Sequence, residues 1–425
     1  MKLTEVKNKI GDRYFCTTHK SGLKIFMYPQ EGFTSTYALL GTKYGSINNK
    51  FAFSKDSETI NVPDGTAHFL EHKMFESEEG DAFEFYAKTG ASANAYTSFD
   101  KTCYLFSCTE NFDESLKTLI KFVFTPYFTE ETIQKEQGII GQEIKMYEDS
   151  AEWTVFINLL KGMYHNHPIN IDIAGSVDTI ATLTPKMLYD CYNAFYNPAN
   201  MALCIAGKID MEKTIELLDK ILPDIPSHAP IKIFPDEPHD VKEHLIEARF
   251  PIATPLFQLG FKENVTHELT AKDLALADIL TEIISAKSSP MYRKLLDEKL
   301  INTASFETEY FYGDHYASFI FSGESSDPHK VAQIIKDEIS KLQKTGISKD
   351  TFERAKKSSY AKNISILNSA DNIANTMMSL YFSNMTLFEA IDSIVDTTFE
   401  EITEYFQKSF EVENSTLSVT LPLEE

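Results

Sequence analysis

A chain of 425 residues, 43% apolar and 12% aromatic, exceeds what one ordinary core holds and predicts two domains. Its net charge of −23 disfavours nucleic acid and anionic membrane surfaces as partners, since both repel a protein of this sign. No run approaches the roughly eighteen apolar residues of a membrane-spanning helix.

The N-terminal stretch MKLTEVKNKIGDRYF has no apolar core and predicts no signal peptide. Five cysteines, at 16, 103, 108, 191 and 204, are odd in number and scattered. That pattern predicts free thiols in a reducing cytosol rather than a disulfide framework. TSTYALLGTKYGS, from Thr34, reads as a strand. DGTAHFLEHKMFES (64–77) follows it and carries His68, Glu71 and His72. On a helix of about 100° per residue these three side chains point into one space. Two imidazoles one turn apart suit a single metal ion, and the carboxylate between them sits where it can take a proton from water. The apolar neighbours in HFLEHKMF speak against a plain surface helix.

Further along, ASANAYTSFDKTCYLF (91–106) alternates and is rich in β-formers, which predicts a strand. Cys103 and Cys108 fall on its opposite faces, so they share no metal. TIQKEQGIIGQEIKMYED (132–149) predicts a helix with Glu136 and Glu143 on one face, nearly two turns apart. A catalytic zinc keeps three protein ligands. One of these glutamates can be the third while the other orients a ligand. His165 and His167 in MYHNHP take a structural reading.

Five prolines between 223 and 238 mark a linker. They divide the chain into 1–222, a linker over 223–239, and 240–425. The two parts look alike. TPKMLYDCYNAFYNPANMALCIAG from Thr184 aligns without a gap on TFEEITEYFQKSFEVENSTLSVTL from Thr398, placing Asn200 on Asn414 and Ile205 on Val419. ATPLFQLGFKEN, from Ala253, answers the strand near 34. The expected fold is α+β: two similar halves, each an antiparallel sheet covered by helices.

HxxEH followed by ExxxxxxE resembles the pitrilysin/insulinase family of inverzincin zinc metallopeptidases, in its half-length bacterial and mitochondrial-processing-peptidase-like form. The likeness is specific over residues 22–208 and diffuse after 240. It implies one Zn2+ per chain held by His68, His72 and Glu143, Glu71 as general base, and Glu136 as a supporting acid. It implies a clamshell of two halves. It also places Asn94, Ala95 and Tyr96 on an exposed edge strand, to which an extended peptide adds by backbone hydrogen bonds. The family's second half usually supplies an Arg and, seven residues on, a Tyr that grip the peptide. Here those positions hold Leu296 and Thr303, and no second HxxEH occurs.

The resemblance therefore implies the zinc-bearing member of a heterodimer whose same-fold partner supplies the Arg/Tyr grip, with a homodimer as the other arrangement. The expected activity is that of a cytoplasmic zinc endopeptidase acting on unfolded or leader peptides. The alternatives are a non-catalytic peptide-binding or processing scaffold, against which the intact motif speaks, and a hydrolase of non-peptide amides. No GxxxxGK[ST] or GxGxxG stretch supports nucleotide binding.

Overall fold

Met201–Gly207 is buried at every position, as a strand covered on both faces must be. In the computed structural model, which describes residues 2–424, it is the central strand of a seven-stranded sheet. The strands are β1 (Thr4–Lys7), β2 (Arg13–Thr18), β3 (Lys24–Pro29), β4 (Thr36–Thr42), β5 (Ser92–Thr97), β6 (Thr102–Cys108) and β7 (Met201–Gly207). Their spatial order is β1-β2-β3-β7-β4-β6-β5, antiparallel except for the β3–β7 pair, so β5 is an edge. The sequence reading of 91–106 as one strand is corrected: it is the β5–β6 hairpin. Ser98 to Lys101 make the turn, with Ser98 N–H donating to the Lys101 carbonyl (2.8 Å) and the Ser98 hydroxyl to Asp100 (2.7 Å). Alternation survives such a turn because Phe99 folds inward and is buried.

The chain forms two compact units, neither contiguous in sequence. The first holds residues up to 144, 172–234 and 366–382; the second holds 145–171, 235–365 and 383 onward. The proline-rich stretch contains one short strand, Ile231–Lys232, which pairs with Lys50–Ala52. What a contiguous division leaves out are two exchanged segments.

In the first unit, α1 (Thr66–Lys73), the α2 segment up to Ile144 (α2 being Glu130–Glu148) and neighbouring helices close a core over one face of the sheet. Ile25, Leu40, Tyr104, Phe106 and Leu203 belong to it. The opposite face, with Leu39 and Cys204 fully buried, is covered by a helix from far down the chain, Ala370–Phe382.

In the second unit, five strands lie in the order β8 (Leu245–Phe250), β12 (Ser415–Pro422), β9 (Leu256–Lys262), β11 (Tyr316–Glu324) and β10 (Glu307–Gly313). There the exchanged helix is α3 (Ala151–Met163), packed on β12, β9 and β8. With α4 (Ala271–Ser285) belonging to the second unit's own core, the helix Ala370–Phe382 is α5.

The duplication extends to single atoms. The Lys43 N–H donates to the Asn200 carbonyl (3.1 Å), and the Lys262 N–H donates to that of Asn414 (3.3 Å). A Cβ on Gly41 would lie 2.7 Å from the Met378 sulfur, and one on Gly260 would lie 2.6 Å from that of Met163. Each exchanged helix thus seats a methionine where its sheet has no side chain. The second unit is also pinned by a buried pair. Lys262 Nζ donates to Glu237 (2.7 Å) and to three carbonyls, while the Glu237 carboxylate accepts the N–H groups of His165, Asn166 and His167. His167 is buried, its Nδ1 accepting from the Ile169 N–H and its Nε2 donating to the Asp314 carbonyl. These partners fit the structural reading.

Candidate metal centre

The helix α1 starts against a backbone wall. Gly65, at φ 87°, is its N-cap, and a Cβ there would come within 2.3 Å of the Ala174 carbonyl oxygen. Only glycine permits that approach, and it sets the direction in which the helix leaves. Ala67, Phe69 and Leu70 enter the core. His68 and Glu71 are also buried, at 8% and 7% exposure, so the surface-helix reading does not apply. The imidazoles of His68 and His72 stand edge to face, 4.7 Å apart.

The other wall is α2. His68 Nε2 lies 3.7 Å from one oxygen of Glu143, and His72 Nε2 lies 3.4 Å from the other. One ligand atom each from His68, His72 and Glu143 falls within 4.8 Å of the others. Glu136, nearly two turns earlier on the same face, takes the remaining nitrogen: His72 Nδ1 to Glu136 Oε1 is 3.1 Å. Both glutamates on that helix face therefore meet the same histidine from opposite sides.

Two imidazoles, a carboxylate, and a further carboxylate on the outer ring nitrogen form a donor set suited to zinc. Burial, with the neighbouring His72 charge, pushes His68 down to about 3 and keeps it neutral, as a metal ligand must be. For His72, burial acts downward but is outweighed by the Glu136 hydrogen bond and the Glu71 and Glu143 charges, so it is raised. For Glu136, burial acts upward but is outweighed by the His72 hydrogen bond together with the His72, Lys73 and Lys135 charges, so it is lowered.

Glu71 stands apart from that set. Its Oε2 accepts from the Thr97 hydroxyl (2.9 Å) at the end of β5, and burial raises its pKa against the pull of His72 and of that hydrogen bond. Thr97 was not singled out from sequence, because nothing in AYTSF marks it beyond strand alternation.

A cavity of about 500 Å3 opens beside Glu71 and His72, with Phe75, Asn94, Ala95 and Glu136 also in its wall. Phe83 and Ile139, 46% and 49% exposed, flank it. Asn94 and Ala95 thus share a space with the histidine helix. The Ala95 N–H donates to the Asn94 side chain (2.9 Å), and β5 is an edge of the sheet. Tyr96 points elsewhere, and its hydroxyl donates to Asn375 (2.8 Å). Leu296 packs against the core of the second unit, and Thr303 is exposed in a loop.

The chain is similar to known proteins along most of its length. Residues 57–177 match the model for "Insulinase (Peptidase family M16)", and residues 182–359 match that for "Peptidase M16 inactive domain". The uncharacterized zinc protease YmfH of Bacillus subtilis (strain 168) is 37% identical over 419 residues, 95% of either chain. A crystal structure of an M16-like peptidase from Alicyclobacillus acidocaldarius superposes with TM-score 0.92 at 29% identity, over 100% of this chain and 99% of that one. The periplasmic protease PqqL of Escherichia coli shares the fold at TM-score 0.75 and 17% identity; the match takes in 99% of this chain but 48% of that one. On its sequence, its two similar α+β halves and these relatives, the chain belongs to the insulinase family of peptidases, M16.

Proposed function

We propose that the chain is a zinc endopeptidase that hydrolyses peptide bonds of unfolded or leader peptides. The observation that carries this reading is the convergence of His68, His72 and Glu143 on one point, with Glu71 buried beside it but outside that group. Zinc held there would polarise the scissile carbonyl and acidify water. Glu71 accepts the proton of the attacking water and returns it to the leaving amine, and its raised affinity for a proton suits both transfers. Thr97 keeps the Glu71 carboxylate turned toward β5. An extended peptide adds to the β5 edge, displacing the Asn94 side chain from the Ala95 N–H. A substrate side chain next to the scissile bond enters the cavity between Phe83 and Ile139.

In this reading the chain is the catalytic member of a heterodimer, because the positions of the family's Arg/Tyr grip hold Leu296 and Thr303. The double-length PqqL structure, about half of which this chain matches, supports a pairing of two such folds.

The test is chelator-sensitive cleavage of a basic, unstructured peptide, with Glu71→Gln as the blank. The variant should keep its zinc and lose about 10²- to 10⁴-fold in turnover. Equal turnover by Glu71→Gln would refute the assignment of the base. Full activity of the chain alone would refute the heterodimer.

A further inference from the structure

An edge strand has a neighbour on one side only, so its position depends on what its side chains hold. On one face of β5, Thr97 holds Glu71. On the other, the Tyr96 hydroxyl donates to Asn375 Oδ1 (2.8 Å), and Asn375 sits on the exchanged helix α5, 279 residues along the chain from Tyr96. The Asn375 amide has no freedom left. Its Nδ2 donates to the Tyr37 hydroxyl on β4 (3.1 Å) and to the Asp371 carbonyl one turn back (2.9 Å). With both donors committed, its oxygen is turned toward Tyr96.

Asparagine is a poor helix former, and its neighbours Ile373, Ala374, Met377 and Met378 are buried apolar residues. Asn375 is itself half-buried, and a polar side chain at the border of such a face, with each hydrogen bond made, serves to fix one arrangement. The helix is itself anchored: Met378 sits over Gly41, and the Leu367 carbonyl just before it accepts from Gln30 Nε2 (2.6 Å).

We infer that Asn375 is a positioning residue for substrate. Through Tyr96 it fixes the edge strand that carries Ala95 and Thr97, and so the register of a bound peptide against Glu71. This inference rests on the peptidase reading above. It assigns to the second half of the chain, through α5, a part in the site that HxxEH alone does not reveal.

The test uses Asn375→Leu, which keeps size and loses the hydrogen bonds, and Tyr96→Phe, which loses the same bond from the other end. Asn375→Asp still accepts from Tyr96 but loses both donors, so it separates the Tyr96 bond from the bonds that orient it. Kinetics are measured in whichever zinc-loaded assembly, chain alone or with its partner, hydrolyses the peptide. Amide exchange over residues 92–97 is followed in parallel. Asn375→Leu and Tyr96→Phe should each raise KM about five- to tenfold with kcat little changed, as loss of one such hydrogen bond predicts. The double variant should be no worse than either single. Exchange over 92–97 should quicken, and Asn375→Asp should fall between wild type and Asn375→Leu in KM. Zinc content and Tm should hold in every variant.

Wild-type KM and exchange in Asn375→Leu, or effects that multiply in the double variant, would overturn the inference while leaving the peptidase reading standing. A fall in KM-independent turnover that tracks a falling Tm would show a merely structural role and overturn it too. A zinc-loaded wild type that hydrolyses no peptide in any assembly would overturn both.

Discussion

Glu263 offers a measurement in which the structure sets both sign and size. It lies in the wall of a cavity of about 580 Å3 in the second unit. The Tyr310 hydroxyl donates to it at 2.6 Å and that of Tyr405 at 3.4 Å. Burial raises its pKa from 4.5 to about 7, against the pull of the hydrogen bonds from Tyr310, Ser409 and Tyr405. Below 4.5 the carboxyl is protonated in folded and unfolded chains alike and costs nothing. Between 4.5 and about 7 the unfolded chain gives up a proton that the folded one keeps, so stability falls as pH rises. Above about 7 the loss is complete, and at about 1.4 kcal/mol per tenfold in proton affinity it amounts to about 3 kcal/mol.

Glu263→Gln keeps the shape and an acceptor for the tyrosines but cannot ionise. Urea unfolding of wild type and variant in parallel isolates this group, because every other titration is common to both. The stability of the variant relative to wild type should grow by about 2–3 kcal/mol between about pH 5 and pH 8. A difference that is flat with pH, or that shrinks as pH rises, would refute the reasoning.

Further outcomes are expected. Glu136→Gln, which weakens the hold on His72 Nδ1, should lower zinc affinity about 10- to 100-fold in chelator competition; His72→Ala should lose tightly held zinc altogether, and one zinc per chain retained there would refute the ligand assignment. Lys262→Met leaves the Glu237 carboxylate without its cation and should cost about 3–5 kcal/mol in urea unfolding; a cost under about 1 kcal/mol would show that the three backbone N–H groups suffice. Gly260→Ala pushes a methyl toward the Met163 sulfur and should cost about 1–3 kcal/mol, with Gly41→Ala matching it against Met378; a neutral effect would mean that the methionines give way freely.

The candidate site was largely legible because its parts are local. His68, Glu71 and His72 lie within five residues of one helix, and helical geometry alone aims them together. Glu136 and Glu143 were legible as a pair, but their division of roles was not. Spacing does not say which carboxylate meets an Nε2 and which an Nδ1. Thr97 and Asn375 were missed for a different reason. Each acts across a sheet on a residue distant in sequence, and neither belongs to a pattern with a period. The fold divides in the same way. Repeated strands and the helix-turn-strand units near 184 and 398 could be aligned by eye, whereas the exchange of α3 and α5 could not. An amphipathic helix announces that it covers something, and its periodicity is silent about which sheet.

The exchange of α3 and α5 carries a consequence for how the chain is made. A ribosome releases the N-terminal half first, yet the sheet built from that half has its second face closed by residues 370–382. Until those residues emerge, Phe26, Leu39 and Cys204, all buried in the finished protein, have nothing over them. The first unit therefore cannot complete itself during synthesis as an independent domain does. It waits, with an apolar sheet face open, for nearly the whole chain, and this interval is when a chaperone has most to shield.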